Sequence, residues 1–193
     1  MMHLDETSGK IIGVPFIPTP NYDLRPAGID IDMLVVHCIN LPPGDFEKDH
    51  VVDFFLNQLD TSLHPFYESV KGLKVSAHCY IPRDGNLLQF VPLHARAWHA
   101  GVSQFQGRER CNDYSIGIEL EGDEETPYTA AQYSCLSQLT QMLFEAYPNL
   151  TPDRVVGHSD IAPGRKTDPG PAFDWAYYRS LWQPRISQKG KGV

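Results

Sequence analysis

The run MLVVHCI, residues 33–39, constrains this chain of 193 residues more than any other stretch. Every position in it is apolar except His37. A half-buried strand alternates apolar and polar side chains, whereas an unbroken apolar run suits a strand buried on both faces. Such a strand lies inside a sheet with material packed on both sides. LPPGD (41–45) then breaks the run.

The flanking segments supply the partners. In VVDFFLNQLD (51–60), helical spacing places Val52, Phe55, Leu56 and Leu59 on one face. LKVSAHCYI (73–81) alternates, with Val75, Ala77, Cys79 and Ile81 on one side and Lys74, Ser76, His78 and Tyr80 on the other. RDGN (83–86) is a turn, and LLQFVP (87–92) returns as a hairpin partner. YSIGIELEG (114–122) alternates again: Ile116, Ile118 and Leu120 face the core, and Gly117, Glu119 and Glu121 lie opposite, Glu121 in solvent. Thr129 and Gln132 form a capping box that opens a helix with a stripe of Tyr133, Leu136, Leu139 or Thr140, Leu143 and Tyr147, ended by Pro148. RVVG (154–157) is a short strand, and AFDWAYYRSLW (172–182) a last helix. The expected fold is α/β: a single domain spanning residues 1–193, built on a mixed β-sheet with helices packed on its faces. Residues 1–30 are Pro-rich and irregular, and the polar tail 184–193 is frayed.

Charge narrows the partners. Lys and Arg total 16 against 24 Asp and Glu, a net charge of -8, which argues against general binding to nucleic-acid phosphates. Nothing is long and apolar enough to span a membrane. MMHLDETSGK lacks a charged region followed by an apolar one, so a cytosolic protein is expected, with Cys38, Cys79, Cys111 and Cys135 as reduced thiols.

GHSDIAPGRKTDPG (157–170) is expected to be a stiff loop without helix, because Pro163, Gly164, Pro169 and Gly170 interrupt it. Pro169 favours an extended Asp168, and in extended chain residues i and i+2 point the same way, so Lys166 and Asp168 share a side. A surface ion pair is the plain alternative. His37 ends an apolar run at the kind of strand end where ligand sites gather. A buried histidine bonded to a backbone carbonyl is its plain alternative. Together His37, His158 and Asp168 have the ligand types of a catalytic zinc site, two imidazoles and a carboxylate with one position left open. Glu119 is a candidate general base. His78 is expected to be a hydrogen-bonded neighbour, and Cys38 and Cys79 small core residues.

LVVHCINLPPGDF, VSAHCYIPRDGNLLQFVP, RAWHAGVSQFQGRERCNDYSIGIELEG and GHSDIAPGRKTDPGPAFDW closely resemble the cytosolic bacterial N-acetylmuramoyl-L-alanine amidases of cell-wall recycling. This is a zinc family that shares its fold with phage amidase lysozymes and peptidoglycan-recognition proteins. The resemblance runs from about Pro18 to Leu181. It implies zinc (Zn2+) held by His37, His158 and Asp168, Glu119 as base and Lys166 as electrophilic helper. It also implies substrate contacts at Trp98, Arg110, Lys74, His99 and Phe66. Lys74 stands where the family pattern has arginine, and Cys38 where it has asparagine. The implied substrate is a small molecule, 1,6-anhydro-N-acetylmuramic acid linked to a peptide that begins with L-alanine. The implied role includes lowering β-lactamase-inducing muropeptides, and the expected form is a monomer. Two rivals stand beside this reading. One is a metal-free binding module, which loss of a ligand would mark; all three ligand positions here hold ligating residues. The other is a cysteine amidase using Cys38 or Cys111.

Overall fold

The computed structural model describes residues 2–46, 48 and 50–182. The frayed-tail expectation for 184–193 lies outside these residues. Among them a five-stranded sheet runs in the order β11 (Val155–Gly157), β4 (Met33–Ile39), β10 (Ser115–Glu121), β5 (Cys79–Ile81) and β6 (Leu88–Gln89). The first four strands are mutually parallel, and β6 closes the edge as the antiparallel hairpin partner of β5. This is a mixed sheet with MLVVHCI as an interior strand. The remaining strands are two-residue ribbons: β1 (Leu4–Asp5) with β2 (Lys10–Ile11), β3 (Tyr22–Asp23) with β7 (Arg96–Ala97), and β8 (Gln104–Phe105) with β9 (Arg108–Glu109). Three of these strands fall within residues 1–30, so that segment is less irregular than its prolines suggest.

Leu34, Val36, Ile116, Ile118 and Leu120 point to one face, under α3 (Ala130–Ala146) and α5 (Trp175–Trp182). Fully burying one such aliphatic side chain contributes about 1.5–3 kcal/mol. The helix begins at the expected capping box: Thr129 Oγ1 accepts from the Gln132 N–H, and Gln132 Oε1 accepts from the Thr129 N–H. Gln132 Nε2 also donates to the carbonyls of Ile81 and Glu121, which ties the helix start to the ends of two strands. Met33 and Val35 point to the other face and pack with Ala100, Cys111, Tyr114 and Ile161.

Several local expectations change. Pairing as a strand is confined to Cys79–Ile81, because the chain before it bonds irregular partners: Ser76 N–H donates to the Trp98 carbonyl, and Asn21 Nδ2 to that of Val75. Helix α1 (Val51–Phe55) stops at Leu56, where Asn57 turns into the left-handed region at φ 59°. Its buried face is Val51, Phe54 and Phe55, and not the one centred on Val52 and Leu56. Glu121 is buried, and its Oε2 accepts the Arg83 N–H at 2.7 Å. The irregular segments that cover this second face shield positions which alternation alone reads as solvated.

Candidate metal centre

The site lies at the C-terminal edge of the parallel strands, where α/β sheets gather ligands. His37 stands in register with Glu119 across β4 and β10, and Glu119 with Tyr80 across β10 and β5. Gly157 pairs with Val36, so the next residue, His158, emerges beside His37. His158 opens α4 (His158–Ile161), a single helical turn inside the stretch expected to hold no helix. Pro163 comes late enough to permit that turn, and Asp160 Oδ2 caps it by accepting the Gly157 N–H at 2.7 Å. The chain then doubles back, and the Ser159 N–H holds the Asp168 carbonyl at 3.0 Å. A Cβ on Gly157 would come within 2.9 Å of Pro169, so glycine permits this close approach.

Three donor atoms converge as a result. His37 Nδ1 and His158 Nδ1 are 3.0 Å apart, and each is 3.1 Å from Asp168 Oδ2. The two histidines are buried and Asp168 half-buried. The outer nitrogens are engaged elsewhere: His158 Nε2 lies 3.1 Å from the Ala100 carbonyl, and His37 Nε2 lies 2.8 Å from His99 Nδ1. Burial pushes His37 down to about 4, against the pull of the Asp168 carboxylate. Burial opposes ionisation of Asp168, but the imidazoles of His158 and His37 beside it outweigh this and hold the carboxyl well below its usual range. Two imidazole nitrogens and one carboxylate oxygen thus converge on a common point, an arrangement that a cation satisfies.

Glu119 borders this point. Its Oε2 is shielded from solvent and has no hydrogen-bond partner among the described residues. Burial, reinforced by Asp168 and opposed by Lys166, raises its carboxyl well above the usual value. Lys166 is exposed, yet its charge acts on both Glu119 and His37.

The other candidates are spread around the centre. Arg110 is exposed, sits in the left-handed region at φ 60° and pairs with Asp113 at 3.1 Å. It lines a cavity of about 490 Å³ with Val102, Ile161 and Arg165, next to the turn that carries His158. Lys74 lines a separate cavity of about 240 Å³ with Phe54, Leu59 and Val70, so these two cations do not share a wall. Trp98 is half-buried; its carbonyl accepts the Ser76 N–H and its own N–H donates to Ser76 Oγ. Phe66 is exposed at the start of α2 (Tyr67–Val70). His99, expected against substrate, is buried behind His37. His78 has its Nδ1 accepting the Gly117 N–H and its Nε2 against the Ala95 carbonyl. Cys38 offers no thiolate. Burial pushes Cys38 up to about 12, and Cys111 is buried with its Sγ against the Tyr114 hydroxyl. Sequence reasoning missed Ser115, which supports His99, and Tyr128, whose hydroxyl donates to the Pro169 carbonyl at 2.9 Å. Gly117 inside a strand was an available sign of a close packing partner.

The family described as N-acetylmuramoyl-L-alanine amidase matches residues 27–171. The 1,6-anhydro-N-acetylmuramyl-L-alanine amidase AmpD of Escherichia coli (strain K12) is 53% identical over 173 residues, 90% of this chain and 94% of that protein. A crystal structure of a selenomethionine derivative of AmpD superposes with a TM-score of 0.89 at 49% identity, covering 94% of this chain and 99% of that one. The E. coli amidase AmiD, in complex with anhydro-N-acetylmuramic acid-L-Ala-D-gamma-Glu-L-Lys, gives a TM-score of 0.59 at 30% identity, covering 86% of this chain and 66% of that one.

Proposed function

The chain belongs to the N-acetylmuramoyl-L-alanine amidase family, and on that footing we propose that it is a zinc hydrolase. It cuts the amide between the lactyl group of 1,6-anhydro-N-acetylmuramic acid and the L-alanine that begins the attached peptide. The observation that carries this reading is the convergence of His37 Nδ1, His158 Nδ1 and Asp168 Oδ2 at 3.0–3.1 Å beside a shielded carboxylate oxygen that has no partner among the described residues.

The donor set fits zinc. A tetrahedral ion with bonds of about 2.0–2.1 Å needs ligand atoms about 3.3 Å apart, close to the spacing here. Two imidazoles and one carboxylate also leave a fourth position free, as catalytic sites require. Zinc bound there would polarise the scissile carbonyl and make the attacking water easier to deprotonate.

The chain's own groups do the rest. Glu119 Oε2, committed to no other bond, takes the proton of the attacking water and passes it to the departing L-alanine nitrogen. Lys166, close enough to bias both Glu119 and His37, offsets the negative charge that grows on the carbonyl oxygen. Arg110, in the cavity beside the turn of His158, meets the carboxylates of the peptide, to which a guanidinium offers paired donors. Trp98, Phe66 and Lys74 complete the substrate surface.

As one domain, a monomer in the cytoplasm, the protein would act in cell-wall recycling and lower β-lactamase-inducing muropeptides. No helix among the described residues is long and apolar enough to cross a membrane. Mass spectrometry of products from a defined anhydromuropeptide tests the reaction. The account expects a free lactyl acid on the sugar and a peptide with L-alanine at its amino end. Cleavage inside the peptide, or binding without cleavage, contradicts it.

A further inference from the structure

The hydrogen bonds that reach His37 from behind, through Ser115 and His99, run in one direction. Ser115 Oγ lies 2.6 Å from the Cys111 carbonyl. A carbonyl cannot donate, so the proton in that contact belongs to Ser115. Ser115 therefore has only acceptor capacity left for His99 Nε2 at 3.1 Å, and His99 must carry its proton on Nε2. The neutral ring then has a lone pair on Nδ1, which faces His37 Nε2 at 2.8 Å. His37 Nε2 consequently donates, and the His37 lone pair falls on Nδ1, the atom that faces His158 and Asp168.

Packing fixes the same ring from outside the chain. A Cβ on Gly117 would come within 2.3 Å of the His99 ring, so the imidazole lies against the backbone of β10. Asn112 Oδ1 accepts the N–H groups of both His99 and Ala100, at 3.1 and 2.8 Å. Ala100 in turn offers its carbonyl to His158 Nε2. One dipeptide thus holds the outer nitrogen of both histidines.

We propose that Ser115 and His99 select the tautomer through which His37 meets the metal, so that His99 is a positioning residue and not a substrate contact. The inference rests on the zinc reading for its purpose but not for its geometry. Partners of this kind change metal affinity by about 10–100-fold when lost, because they set the orientation and basicity of the ligand.

Long-range proton–nitrogen NMR of the metal-free protein, with histidines labelled by nitrogen-15, tests the geometry directly. His37 and His99 are both expected as the Nε2–H form. A His37 ring protonated on Nδ1 overturns the proposal. Zinc affinity, read by competition with a chelating indicator, tests the purpose. Ser115 touches neither the metal donors nor the expected substrate surface, yet Ser115→Ala should weaken zinc binding at least about 10-fold. Without Ser115, the His99 proton is free to move to Nδ1 and oppose the His37 donor. His99→Asn, whose amide oxygen can occupy the Nδ1 position, keeps an acceptor for His37 that needs no support from Ser115. Adding Ser115→Ala to His99→Asn should therefore cost little further affinity, whereas a merely structural role for Ser115 predicts the same loss in both backgrounds. Unchanged affinity in a folded Ser115→Ala protein also overturns the proposal. If wild-type protein binds no zinc, the function reading fails, and the NMR result still decides the tautomer.

Discussion

Glu119 and His37 are register partners on adjacent parallel strands, so their side chains rise on the same face of the sheet. The pairing places a carboxylate whose Oε2 has no partner among the described residues beside a donor of the candidate metal centre. Both residues sit on paired strands, so the proposed base is positioned independently of the loop that carries Asp168.

Glu119→Gln keeps the shape and removes the base. Turnover should fall about 100-fold or more, with zinc content unchanged. Steady-state kinetics beside elemental analysis checks this. Near-normal turnover would assign the proton to another group.

Asp168 and Lys166 share a loop, and the proposed function gives them different tasks. Asp168→Ala should lose both metal and activity, because two histidines alone hold zinc poorly. Lys166→Ala should lower kcat about 100-fold or more and leave zinc content and KM nearly unchanged, since its charge matters mainly in the transition state. An exposed ion pair without function would give neither result. Retained zinc in Asp168→Ala would remove that residue from the ligand set.

Much of this arrangement is legible in the sequence, and the illegible parts have a common cause. MLVVHCI announces an interior strand because burial on both faces leaves a continuous apolar run. The capping box at Thr129 announces its helix because that chemistry is local. Glu121 misleads: the sheet face it belongs to is covered by irregular chain, which has no period to read. His99 misleads for the same reason. Its neighbours on the sheet, Ser115 and Gly117, are distant in sequence, and only the glycine hints at a ring packed against the strand. His37, His158 and Asp168 have ligand chemistry in sequence, but no spacing reveals that strand order brings them together.

Cys38 follows His37 where the family pattern has asparagine. Burial holds its thiol near 12, so it supplies no nucleophile at neutral pH. Cys38→Ser should turn over substrate close to the wild-type rate. Loss of all activity with zinc retained would revive the cysteine mechanism.

His78 gives the fold a defined acid sensitivity. Burial, with Arg25 beside it, pushes the ring down from 6.5 to about 3. The unfolded chain therefore takes up a proton between these values that the folded chain refuses. Stability from this group is full above about pH 6.5 and is lost as pH falls toward 3. Urea unfolding of wild type and His78→Asn at a series of pH values checks this. The variant should be less stable at neutral pH and show a shallower decline with acid. An equal decline in both would assign the acid sensitivity elsewhere.

The most direct test of the account is zinc dependence of amide cleavage. Purified protein should carry about one zinc per chain, as the three-ligand set requires. Stripping the metal with a chelator should abolish release of the peptide from a defined anhydromuropeptide, and adding zinc back should restore it. Full turnover by protein that elemental analysis shows to be metal-free would contradict the central claim.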